Sequence, residues 1–112
     1  MESRNEKEQL KHQLHVVEIA LRRWDPIDVI SDLVADGLPP NEYDSYAPSV
    51  LSTIHSAQCD SEISNNLAGI RHNLMGLGGK SPTERETDIG EKLLAWKNTG
   101  FEGTPDFRFM RY

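Results

Sequence analysis

Leu10-Lys11-His12-Gln13-Leu14-His15-Val16-Val17-Glu18-Ile19-Ala20-Leu21-Arg22-Arg23-Trp24-Asp25-Pro26 is the stretch whose reading decides the fold. Its apolar residues Leu10, Leu14, Val17, Leu21 and Trp24 recur at spacings of 4, 3, 4 and 3, which on a 3.6-residue turn draws one stripe down an α-helix. The spacing predicts a helix from about Glu6 to Trp24. Asp25-Pro26 ends it, because proline lacks an N–H and pushes the residue before it out of the helical region. The same pair suits a new start, with Asp25 as N-cap and Pro26 in the first helical position. A second helix is expected from about Pro26 to Ala35, with Ile27, Ile30, Leu33 and Val34 as its inward face. Gly37 supplies a left-handed stop.

Downstream, residues 38–47 carry Pro39-Pro40, two tyrosines and turn formers without periodicity, and read as an ordered loop. Pro48 opens a third helix that turns Val50, Leu51 and Ile54 inward. A break at Gln58-Cys59-Asp60 precedes a fourth, with Asp60 as N-cap and Ile63, Leu67, Ile70 and Leu74 repeating at 4, 3 and 4. Gly76, Gly78 and Gly79 end it. Ser81-Pro82-Thr83-Glu84 has the form of a capping box with Ser81 as N-cap, opening a fifth helix to about Asn98 that buries Ile89, Leu93 and Trp96. Phe107, Phe109 and Tyr112 follow among Arg108 and Arg111. The segment reads as a strand-like tail laid over the helices or as an adhesive end, and packing is the expectation because three exposed aromatics would be a solubility liability. The fold class is all-α: one compact bundle of four to five helices, with a core over about 6–98 and a short aromatic C-terminal tail over 99–112.

A chain of 112 residues makes one domain, and a hydrophobic share of 37% with mean hydropathy −0.59 makes its core modest. No window approaches the roughly 20 apolar residues that span a bilayer, so no membrane partner is expected. Met1-Glu2-Ser3-Arg4-Asn5-Glu6 is too polar for a signal peptide, and a cytoplasmic location is the simplest expectation. Cys59 is the single cysteine, which excludes an intramolecular disulfide and a multi-cysteine zinc site. A net charge of −6 argues against nucleic acid as a partner, since phosphates demand a basic surface.

The charge is unevenly placed. From Trp24 to Ile70 stand eight acids, Asp25, Asp28, Asp32, Asp36, Glu42, Asp44, Asp60 and Glu62, with no Lys or Arg, while the flanks sum to +2. Asp25, Asp28, Asp32 and Asp36 fall 3, 4 and 4 apart, a carboxylate stripe opposite the apolar face of the second helix. Like charges at that spacing repel by a few tenths of a kcal/mol per pair. The stripe reads either as a solvated face of an acidic protein or as a surface for a basic partner, since a one-signed face speeds association and rejects wrong partners. Tyr43 and Tyr46 beside Glu42 and Asp44 have the composition of a binding hot spot, and equally that of anchors pinning a long loop to the core.

Catalytic chemistry finds little footing. No twelve-residue calcium loop occurs, and His12 and His15 lie at a metal-sharing spacing without an evident third ligand. Cys59 beside Asp60 could be a nucleophile only with a base nearby, and Gly76-Leu77-Gly78-Gly79-Lys80-Ser81 lacks the spacing and the preceding strand of a phosphate loop. No metal, no cofactor and no enzyme activity are expected.

Trp24-Asp25-Pro26-Ile27, Asn41-Glu42-Tyr43-Asp44-Ser45-Tyr46-Ala47-Pro48 and Met75-Gly76-Leu77, in that order, resemble the small YugE-like bacterial proteins. The resemblance covers roughly residues 10–97 and implies a compact all-helical domain of unknown function. The chain departs from that pattern at Asp28, where the family has glycine, and after Gly100. The function expected from the charge pattern is a non-catalytic protein-interaction domain, an immunity protein or comparable inhibitor that meets a basic partner such as a toxin. Its contacts would be Asp28, Asp32, Asp36, Glu42, Tyr43, Asp44 and Tyr46. The alternative is a structural or regulatory module that self-associates through the aromatic tail.

Overall fold

In the computed structural model, which describes residues 2–25, 30–39, 41–74, 76 and 79–107, helix α1 spans Glu2–Trp24. It starts four residues before its expected Glu6, because nothing in the polar Glu2–Asn5 stretch breaks a helix. The apolar stripe is buried only along its second half. Leu10 stands 49% exposed, whereas Val16, Val17, Ala20, Leu21 and Trp24 lie in the core. α1 ends at Asp25, whose φ of +36° turns the chain away and whose side chain is buried.

Helix α2 spans Ile30–Ala35. Its expected beginning at Pro26 lies outside the described residues. Its end has the geometry of a Schellman stop: Gly37 at φ +75° donates to the Val34 carbonyl (3.1 Å), and Leu38 donates to that of Leu33 (2.8 Å). Leu33 packs against the core, but Val34, expected on the same inward face, is 59% exposed. Successive helical residues point about 100° apart, so a one-and-a-half-turn helix that commits Leu33 inward turns Val34 out.

A 3₁₀ turn, Asp44–Tyr46, leads directly into α3, Ala47–Ser56, which buries Ala47, Val50, Leu51 and Ile54. The ammonium of Lys97 closes its far end, donating to the carbonyls of His55 (2.9 Å) and Ala57 (2.5 Å), where the helix dipole favours a cation. Helix α4, Asp60–Gly69, has Cys59 as N-cap, so Asp60 is its first helical residue rather than its cap. A carboxylate there is still favoured by the dipole. The helix widens into a π-turn over Ile70–Leu74, and Ile63, Leu67 and Ile70 face the core.

Helix α5 spans Glu84–Asn98 and makes its most extensive contact with α4. Gly90 permits this: a Cβ there would lie 2.9 Å from the Asp60 carbonyl oxygen and 3.2 Å from the Ser64 nitrogen. The capping box stands two residues beyond its expected place. Thr83 is the N-cap, its hydroxyl accepting from the Glu86 amide (3.1 Å) while Glu86 Oε1 accepts from the Thr83 amide (2.9 Å). The Ser81 and Thr83 frames both fit the S/T-x-x-E pattern in form, and the buried contacts of Glu86 decide between them.

Past α5, Gly100 at φ +82° donates to the Lys97 carbonyl (2.9 Å) and Phe101 to that of Trp96 (3.1 Å). Phe101 then sets its ring edge-on to Trp96 (4.9 Å) and stacked on His55 (4.8 Å), the hydrophobic contact that accompanies this stop. The segment through Phe107 has no regular structure, so it is not the strand-like strip expected, but Phe107 is buried in the core. Phe109 and Tyr112 lie outside the described residues. Among the described residues there is no strand, and five helices enclose one hydrophobic core.

Candidate functional site

The face of α2 and the loop after it sort the expected contact residues into three groups. Asp32, Asp36 and Glu42 are exposed. Asp44 and Tyr46 are half-buried: Asp44 Oδ2 accepts from Arg22 Nη2 (3.0 Å), and Tyr46 packs against the core. Tyr43 is 1% exposed, so its ring belongs to the core and is not available to a partner. Asp28 lies outside the described residues. Asp25, expected on the carboxylate stripe, is buried instead and accepts from the Tyr43 hydroxyl (2.5 Å).

The eight-acid block is thereby thinned at this face to an open set. Asp25 is enclosed, Asp44 is matched to an arginine from α1, and Asp32, Asp36 and Glu42 face solvent. Among them stand two of the three large apolar side chains exposed in the described structure, Val34 and Leu38 at 59% and 52%. Among the described residues, α2 makes no extensive contact with another helix. Within α2, Asp32 and Val34 stand two positions apart and so point to different sides of the helix, about 160° from one another.

Elsewhere in the structure lies a buried polar network that sequence reasoning missed. Glu86 Oε2 accepts from Trp24 Nε1 (2.8 Å) and from Arg71 Nε (2.8 Å), and Oε1 from Arg71 Nη2 (3.1 Å). The remaining arms of Arg71 reach the carbonyls of Gly79 and Ser81 (both 2.9 Å), and Arg85 Nη1 donates to the Trp24 carbonyl (3.3 Å). Trp24 also packs on Tyr43, with ring centroids 5.8 Å apart. Burial alone would raise the Glu86 carboxyl. The hydrogen bonds from Arg71, the Thr83 amide and Trp24, with the arginine charge, outweigh it and hold the group below its ordinary range. The same bond raises the Arg71 guanidinium further.

This network joins the end of α1, the π-turn, the 79–83 connection and the start of α5. Through Trp24, Tyr43 and Asp25 it also reaches the loop that carries Glu42. Glu86 is fully buried and committed to structural donors, which makes it a brace rather than an acid–base catalyst. The Trp24-Asp25 and Glu42-Tyr43-Asp44 motifs thus meet in space, held by the Tyr43–Asp25 and Arg22–Asp44 contacts.

The other candidate groups are engaged separately. His12 Nε2 donates to the Gly103 carbonyl (2.9 Å), which Trp96 Nε1 also reaches (3.2 Å), while His15 lies 3.8 Å from Glu18. His55 Nε2 donates to Gln13 Oε1 (2.8 Å), and Cys59 is exposed beside the Ser61 hydroxyl (3.1 Å). Among the described residues no three His, Cys, Asp or Glu side chains gather as metal ligands, and no helix is long and apolar enough to cross a membrane. No known protein family, curated protein or solved structure matches the chain.

Proposed function

We propose that this chain is a non-catalytic protein-interaction domain that binds a basic protein through α2 and the loop after it, in the manner of an immunity protein or inhibitor that covers a toxin's basic site. One observation carries the reading: Asp32, Asp36 and Glu42 are open to solvent, and Val34 and Leu38 are exposed in the same segment, in a stretch from Trp24 to Ile70 without Lys or Arg. The carboxylates would pair with Lys or Arg of the partner and steer its approach, and an exposed apolar side chain of the segment would add contact area. Asp28 joins the set by its place in the sequence, and Asp44 and Tyr46 contribute their exposed edges. Tyr43 acts from below by holding the loop. A cytoplasmic location belongs to the same proposal.

The test is capture from host lysate on immobilised protein at low and at high salt, beside an Asp32→Lys/Asp36→Lys variant. The reading expects a basic protein retained at low salt, released at high salt and lost with the variant. Retention of the same protein by the variant would remove the face from the account.

A further inference from the structure

We draw no further inference here: the strongest candidate, the open cavity between the first half of α1 and the turn after α5, lined by Glu8, His12, Phe101 and Glu102, rests on two exposed carboxylates, and nothing in the structure points to a ligand there.

Discussion

A carboxylate shut away from water persists as an anion only when donors replace its hydration, and Glu86 receives them from Arg71, Trp24 and the Thr83 amide. Truncation in Glu86→Ala strands the buried Arg71 guanidinium and should destabilise the fold by about 3–5 kcal/mol in chemical denaturation, much of what a domain this size possesses. Its pH dependence has a fixed sign. The folded carboxyl lies below its ordinary value of 4.5, so its contribution is present above that value and is lost as pH falls through the folded pKa. Melting temperatures of the native chain should therefore decline in acid below about 4.5, and those of Glu86→Gln should decline less over that range. Tyr43→Phe removes a donor from the buried Asp25 and should cost about 1–3 kcal/mol of stability, with partner binding intact at temperatures where the variant is folded. Trp24 and Trp96 were legible as core residues because each closes an apolar stripe. Glu86 was not, because Arg71 stands fifteen positions away and no local pattern announces a contact at that distance.

Helix existence followed from periodicity, while helix ends followed from contacts that periodicity does not carry. The fifth helix was expected from Ser81 and begins after Thr83, since only the Thr83 frame lets one glutamate serve the cap and the arginine together. The inward face of α2 was misread at Val34 because a pattern for a longer helix was laid on a described span of six residues. The tail was expected to be strand-like. It follows instead the Gly100 stop and the rings of Trp96, Phe101 and His55. The α4–α5 contact yields a prediction opposite to intrinsic propensity. Replacing a mid-helix glycine by alanine ordinarily stabilises a helix by up to about 1 kcal/mol. At Gly90 the new methyl would meet the Asp60 carbonyl and the Ser64 backbone, neither of which can swing away, so Gly90→Ala should lower the melting temperature by several degrees. An equal or higher melting temperature would show that the two helices have slack between them.

For the molecule as a whole, charge and fold serve different ends. The all-α class and single core were readable from the stripes on α1, α3, α4 and α5. The surface was readable only in part, because a sequence counts acids without showing which are enclosed, paired or open. The structure divides them by giving Asp25 to Tyr43 and Asp44 to Arg22 and leaving Asp32, Asp36 and Glu42 at the surface. Exposed acids away from the core carry little of the stability, so Asp32→Lys/Asp36→Lys should unfold within about 0.5 kcal/mol of the native chain. The proposed function places its effect on association. The most direct test of the interaction face is the association rate of the captured basic protein, measured by stopped flow over a salt series with the native chain and with this variant. The native rate should fall steeply as salt rises, and the variant should associate more slowly with a much flatter dependence. Equal rates and equal salt slopes for the two proteins would contradict the account.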